Sequence, residues 1–189
     1  VDGRKDTHDA IRGKGCHDKI KKHANRPDLK IHVSMVINKM NYQDIECFIE
    51  EWKDVGVKGC LFQMYTPIKG LKNDDLWPGW KLRDEILDKL LRLKDEKYGD
   101  FIGVPSLVLK LMKSDKCKEV TRNCIFREVS FCLDPQGQLK KPCMMGPQAD
   151  CLRCGCMLPF HMRVLEDKWL MARELFTSLR RKIGKKALQ

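Results

Sequence analysis

The sequence predicts an α/β fold in which a parallel strand–helix–strand unit is followed by a small cysteine-rich module and a closing helix. Three segments support this prediction: a β-branched run over residues 30–38, a segment of helical periodicity over residues 41–56, and a short apolar run over residues 59–65. Such a unit forms a right-handed crossover with parallel strands in nearly all known cases. Because a parallel pair is not stable alone, we expect further strands beside it.

The residues before the first strand predict a loop and a short basic helix. Residues 1–15 are polar and contain several glycines, and the helix extends from about Cys16 to Asn25. Pro27 disfavours the helical conformation in the residue before it, so we expect the helix to end there. His8 and Asp9 lie on the polar loop, where we interpret them as stabilising a turn rather than as an acid–base pair.

The helix of the crossover has a clear apolar face. The residues at helical spacing are Ile45, Phe48, Ile49, Trp52 and Val55. Asn41 is predicted to cap the N-terminus of this helix and Gly56 to end it. The second strand then ends at Thr66-Pro67.

Further helices are predicted after a polar loop over residues 69–79. The first is long, and its apolar stripe consists of Leu82, Ile86, Leu87, Leu90 and Leu93. A shorter helix is predicted around residues 104–112. The chain closes with an amphipathic helix, whose apolar face is formed by Leu165, Trp169, Ala172, Phe176 and Leu179. The basic residues at its end complement the helix dipole.

Composition narrows the class of protein. The 189 residues are 42% hydrophobic and 33% charged, which is typical of a globular chain rather than a disordered one. No apolar run approaches the roughly 20 residues that a membrane-spanning helix needs, and the charged N-terminal residues are not typical of a signal peptide. We therefore expect a cytoplasmic protein, organised as a βα part (1–113), a cysteine-rich module (114–161) and the closing helix (162–189).

Ten cysteines are the most informative feature of the composition, and seven of them lie between Cys117 and Cys156. In a reducing compartment, such clustering indicates metal or iron–sulfur ligation rather than disulfides. The spacing is Cys124-x18-Cys143-x7-Cys151-x2-Cys154-x-Cys156. A hairpin with residues 129–133 and 138–141 as its strands would bring Cys124 and Cys143 to the same end, where the CxxC unit completes a four-sulfur shell.

The preferred ligands are Cys124, Cys143, Cys151 and Cys154, with Cys156 competing for the fourth position. Four thiolates suit either a structural zinc or a [4Fe–4S] cluster, and the spacing does not choose between them. The remaining cysteines are interpreted without a ligand role. Cys47 and Cys60 are expected to be buried, Cys132 to lie within a hairpin strand, and Cys16 and Cys117 to have no partner.

Several motifs, taken in order, resemble the radical S-adenosylmethionine (SAM) enzymes. Val1-Asp2-Gly3 followed by Thr7-His8-Asp9-Ala10-Ile11-Arg12-Gly13 is similar to the segment after the fourth strand of that family's partial (βα)6 barrel. The segments ending at Asn38 and at Thr66-Pro67 resemble its fifth and sixth strands. A cysteine, a glycine-turn hairpin, a cysteine and then CxxC are similar to the family's C-terminal auxiliary-cluster modules, of the twitch or SPASM type.

The resemblance implies roles for particular residues. Arg12 would face the methionine or ribose region of SAM, Asn38 would lie near the ribose, and Met64 could pack on the adenine. The family's CxxxCxxC loop does not occur in the sequence. The resemblance therefore implies the C-terminal half of the barrel from a longer enzyme, carrying an auxiliary [4Fe–4S] cluster and inactive alone.

The resemblance also implies partners. These are a small-molecule, lipid or peptide substrate and an electron donor such as ferredoxin or flavodoxin. The net charge of +11 would suit an anionic substrate. An alternative from another class is a zinc-binding basic module that interacts with nucleic acid or protein. The presence of a single CxxC unit favours the enzyme.

Overall fold

A parallel pair of strands lies at the centre of the chain. In the computed structural model, which describes residues 1–71 and 74–186 and the side chains as far as residue 180, β1 (His32–Ile37) pairs with β2 (Gly59–Met64). The register runs from His32 opposite Gly59 to Ile37 opposite Met64. The helix α3 (Ile45–Val55) connects the two strands, and Gly56 ends it with a positive φ of 90°. The predicted strand–helix–strand unit is therefore confirmed.

Single residues extend the sheet on both edges. The amino group of Val1 donates to the carbonyl of Ser34 at 2.7 Å, beside β1. On the other edge, Ile102 forms a parallel bridge with Cys60, and the amide of Gly103 donates to the carbonyl of Cys60 at 2.8 Å. The described residues contain no barrel: the fold is mixed α/β, mostly helical, with a two-stranded parallel sheet.

Helices are the commonest element in the rest of the described chain. Two of them precede the sheet and the others follow it: α1 (Lys5–Arg12), α2 (Cys16–Ala24), α4 (Gly79–Leu93), α5 (Ser106–Leu111), α6 (Ser114–Arg122), α7 (Phe126–Val129), α8 (Leu158–Glu166) and α9 (Lys168–Lys186). A 3-10 turn over Tyr42–Asp44 precedes α3, and another over Cys151–Arg153 lies within the cysteine-rich segment. None of the helices in the described part is long and apolar enough to cross a membrane.

One buried cluster runs through all three predicted segments. On the sheet it includes Phe62, against which Phe48 of α3 packs edge-on with ring centroids 5.9 Å apart. The same cluster continues into the cysteine-rich segment through Cys117 and into α8 through Phe160. The cysteine-rich segment therefore shares the core of the βα part.

The structure differs from the sequence prediction at Asn41 and in the hairpin. Asn41 does not cap α3: its side chain accepts from the amide of Asn38 and donates to the carbonyl of Val36, at the end of β1. The hairpin is reduced to a turn with one bridge between Leu133 and Leu139. Val129, the first residue of the expected outgoing strand, ends α7 instead, and residues 130–132 form no strand.

The closing helix is divided into α8 and α9 at Asp167. This residue has an extended backbone, and its carboxylate accepts from the amides of Trp169 and Leu170 at 3.0 and 3.1 Å. Asp167 thus acts as an N-cap and begins a new helix. The expected face is apolar but lies outside the core, since Trp169 is 82% exposed and Phe176 66% exposed.

Candidate metal centre

The cysteine-rich segment is joined to the carboxyl end of the parallel sheet. The chain that leaves β2 pairs with it through an antiparallel bridge between Ile68 and Ala149. The amide of Lys69 donates to the carbonyl of Gln148 at 2.7 Å, and the amide of Met64 donates to the carbonyl of Gly155 at 2.9 Å. The cysteines therefore lie at the edge of the sheet where open α/β proteins bind their ligands.

Gly155 makes this junction possible. It lies between Cys154 and Cys156, and its amide donates to Thr66 Oγ1 at 2.8 Å. A Cβ atom built on Gly155 would lie 1.8 Å from the carbonyl oxygen of Met64, far inside van der Waals contact. Only glycine allows the cysteine loop and the end of β2 to approach so closely.

Four of the predicted ligands form one interacting set. Burial raises the pKa of Cys124, and the negative charges of Cys143 and Cys151 raise it further. Burial likewise raises the pKa of Cys156, with smaller contributions from Cys143 and Cys124. Cys124 thus lies within electrostatic range of Cys143, Cys151 and Cys156.

Backbone amides support the sulfurs at both ends of this set. The amides of Phe126 and Arg127 lower the pKa of Cys124, and the amide of Leu158 lowers that of Cys156, so each partly offsets the effect of burial. Amides near a sulfur stabilise its thiolate and are typical of metal-binding loops. Among the residues that the structure describes, however, no three His, Cys, Asp or Glu side chains converge as a ready metal site.

Cys154 belongs to a different environment from the other predicted ligands. Burial, with a smaller contribution from the charge of Cys156, raises the pKa of its thiol to about 12. Its remaining electrostatic neighbours are Cys117 and Arg83, not Cys124 or Cys143. Cys154 is thus linked electrostatically to Cys156, Cys117 and Arg83, whereas Cys156 is linked to Cys124 and Cys143.

Arg83 is a functional candidate that the sequence interpretation missed. It lies on α4, is fully buried, and donates to the carbonyls of Met112, Arg153 and Cys154 at 3.0, 3.4 and 2.9 Å. Its Nη2 also lies 3.5 Å from the sulfur of Cys117. A signal was present in the sequence, because Arg83 falls on the apolar stripe of α4, three residues before Ile86.

Aromatic rings complete the surroundings of Arg83. Its guanidinium lies 5.3 Å from the ring centre of Trp80 and 5.9 Å from that of Trp77. The guanidinium of Arg153 lies 5.6 Å from the ring centre of Trp77. Burial lowers the pKa of Arg83, and the two nearby thiols oppose that shift. The buried cation thus holds the cysteine loop through its carbonyls.

The three residues expected to contact SAM have other partners in this structure. Arg12 Nε forms an ion pair with Asp2 Oδ2 at 2.5 Å. Asn38 is buried after β1, and its Oδ1 accepts from the amide of Met40 at 2.8 Å. Met64 is the last residue of β2 and belongs to the buried core. Ile37, the residue before Asn38, pairs with Met64, so both Asn38 and Met64 lie at the carboxyl edge of the sheet.

The sequence predicted a loop over residues 1–15, but His8 and Asp9 lie on α1. Asp9 accepts from the amides of Gly15 and His17 at 2.8 and 2.9 Å, which closes the turn between α1 and α2. Cys60 is buried as expected, whereas Cys47 is exposed because it lies on the outer side of α3. Cys117, expected to have no partner, is buried against Arg83.

An open cavity of about 860 Å³ lies beside Cys124. Its walls come from the end of α6, from α7, from the segment before Cys143 and from α8. The charged residues that line it are Arg122, Arg127, Lys141, Arg163, Glu119, Glu128 and Glu166. Arg163 and Glu166 are paired with each other at 3.4 Å. The cavity can therefore present cations to a ligand that approaches Cys124.

The comparisons with known proteins identify no relative. The chain matches no family model, no curated protein and no solved structure.

Proposed function

We propose that the chain forms part of a radical SAM enzyme, in which it supplies C-terminal strands of the barrel and binds an auxiliary [4Fe–4S] cluster. The observation that supports this best is the junction between the cysteine-rich segment and the carboxyl end of β2, one of two parallel strands. A redox centre there would lie at the edge where α/β enzymes bind their substrates.

The sheet is compatible with this role because further chain segments flank both of its strands. The amino group of Val1 bonds to β1, and Ile102 and Gly103 pair with Cys60 of β2. Asn38 and Met64 at the carboxyl edge would contact SAM. Arg12 would reach the cofactor only by leaving its ion pair with Asp2.

The cluster would be held by Cys124, Cys143, Cys151 and Cys156. This donor set fits an iron–sulfur cluster because it consists of four thiols, and nearby backbone amides favour the thiolate form of Cys124 and Cys156. When bound, such a cluster supplies one-electron chemistry. Ligation by four cysteines leaves no iron position for the substrate, which favours electron transfer or structural support.

Cys154 is assigned a supporting role rather than that of a ligand. Its carbonyl is bonded to Arg83, and its thiol is linked electrostatically to Cys156, Cys117 and Arg83. The CxxC spacing favoured Cys154, but the contributions of Cys124 and Cys143 act on Cys156, which supports Cys156 as the fourth ligand.

The cavity beside Cys124 is the proposed substrate pocket. Its volume is in the range of small-molecule sites. Arg122, Arg127 and Lys141 line it, and guanidinium groups suit carboxylates and phosphates. An anionic substrate would thus be held next to the cluster, and a reduced ferredoxin or flavodoxin would supply electrons.

Single cysteine variants test the ligand assignment. After anaerobic reconstitution with iron and sulfide, we expect the Cys156→Ser variant to lose most of its iron and its absorbance near 400 nm, at about the level of Cys124→Ser. Cys154→Ser should keep the cluster. Cys47→Ser is the matched control, because this thiol is exposed on α3. Loss of the cluster in Cys154→Ser with retention in Cys156→Ser would refute the assignment.

A further inference from the structure

The helix α9 presents a large apolar face to solvent. Along it, the exposed fractions are 82% for Trp169, 58% for Leu175, 66% for Phe176 and 58% for Leu179. Scattered exposed apolar residues are normal, but a stripe of large ones on one helix marks an interaction surface. We call these four residues the α9 face.

The opposite side of α9 anchors the helix to the fold. The carboxylate of Glu174 accepts from the amides of Ser106 and Leu107 at 3.2 and 2.8 Å, at the start of α5. Leu170 packs against the buried core. At 3.6 residues per turn, Trp169, Phe176 and Leu179 point roughly away from Glu174. The α9 face is therefore held outwards by the fold itself.

The charges along α9 are almost all positive. From residue 168 to residue 186 the sequence contains one acidic residue, Glu174, and seven basic ones: Lys168, Arg173, Arg180, Arg181, Lys182, Lys185 and Lys186. Glu174 is already bonded to the start of α5. Lys168, Arg173 and Arg180 are exposed. The occupant of this surface must therefore be both apolar and anionic.

We propose that α9 docks on the surface of a bilayer that contains anionic lipids. Helices with large apolar side chains, including Trp, on one face and Lys and Arg beside it lie in the membrane interface. The cations bind the headgroups while the apolar face enters the boundary of the acyl chains. This inference rests on the α9 face alone and does not depend on the proposed function.

The structure favours a flat surface over the other occupants. A protein groove that encloses a helix would need the side of α9 that Glu174 and Leu170 attach to the fold. A second copy of the chain would bring two strongly basic helices together, which electrostatic repulsion opposes. A bilayer contacts only the outward face of α9, and its anionic headgroups neutralise the basic residues of the helix.

Vesicle co-sedimentation of the full chain tests the proposal. At low ionic strength, we expect binding to vesicles of phosphatidylcholine with phosphatidylglycerol and little binding to pure phosphatidylcholine. Trp169→Glu and Phe176→Glu should each reduce the partition coefficient by about tenfold or more. Met40→Glu is the matched control, since Met40 is 56% exposed on another part of the chain and should leave binding unchanged.

Three results would overturn the proposal. One is equal binding to neutral and anionic vesicles, and another is unchanged binding in both Glu variants. The third is a wild-type protein that is dimeric by light scattering and does not bind vesicles, together with Glu variants that are monomeric. The α9 face would then be an interface between copies. Circular dichroism of every variant verifies that its fold is intact, so a lost interaction is not mistaken for unfolding.

Discussion

Arg83 shows how a single buried cation can organise a functional loop. Its guanidinium is bonded to the carbonyls of Arg153 and Cys154, which belong to the CxxC unit, and to that of Met112 at the end of α5. A guanidinium has five donors in a fixed plane, so it can fix several carbonyls at once. The cysteine loop, α4 and α5 are thereby held in one arrangement.

Replacement of Arg83 tests this organising role. Arg83→Met keeps the apolar stem but leaves three buried carbonyls without their donor, so we expect unfolding to become easier by about 2–4 kcal/mol. Urea denaturation measures this change. Arg92→Met, at an exposed position of the same helix, should change stability by less than about 0.5 kcal/mol.

The cluster adds a second measurement to the Arg83 experiment. If Arg83 positions the loop, Arg83→Met should also lose reconstituted iron faster than the wild type under a chelator, under conditions where both chains remain folded. An Arg83→Met protein as stable as the wild type and with unchanged iron retention would contradict the organising role.

At the scale of elements, the close contact between β2 and the cysteine loop depends on Gly155. In Gly155→Ala, the new methyl group would overlap the carbonyl oxygen of Met64, so the loop must separate from the strand. We expect a loss of about 3 kcal/mol in the free energy of unfolding. Hydrogen exchange should also become faster at the amides of Met64 and Asp150, which the junction protects.

A glycine of the same segment provides the control for Gly155→Ala. Gly137 lies in the turn after Asp134 with a φ of 76° and has open space around it. Gly137→Asn keeps a residue that tolerates this conformation, so stability and exchange at the junction should be close to those of the wild type. Equal effects of the two substitutions would show that the junction does not depend on the contact at Gly155.

Local sequence patterns predicted the elements that rest on periodicity. The runs that became β1, β2, α3 and α4 are long enough for their period to be evident. The strands of the hairpin were predicted to be longer than they are. The turn residues at Asp134–Gly137 predict a reversal of the chain but not the length of the strands beside it. The break at Asp167 was missed because the apolar period continues through it, whereas the cap acts through one side chain.

The candidate site was only partly predictable because its decisive contacts join distant parts of the chain. Spacing selects cysteines that could share a metal, but the choice between Cys154 and Cys156 depends on how Gly155 packs against Met64. Arg83 contacts Arg153 and Cys154, which are distant from it in sequence. Local periodicity does not report such pairings, although an arginine on an apolar stripe was a usable signal.

At the scale of the whole molecule, two surfaces are arranged around one core. The cysteine set and the cavity beside Cys124 lie in the segment joined to the end of the sheet, and the α9 face is held outwards by Glu174. In our account, the first would bind the cluster and an anionic substrate, and the second would attach the protein to an anionic bilayer. The basic composition, with a net charge of +11, suits both roles.

The central claim is that this chain binds one iron–sulfur cluster through four thiols of the cysteine-rich segment. The most direct measurement is Mössbauer spectroscopy, with iron and sulfide analysis, of the full chain reconstituted anaerobically with ⁵⁷Fe. Our account predicts about four irons and four sulfides per chain in a single [4Fe–4S] species. A colourless protein that keeps one zinc per chain and takes up no iron would contradict it and favour a zinc-binding interaction module.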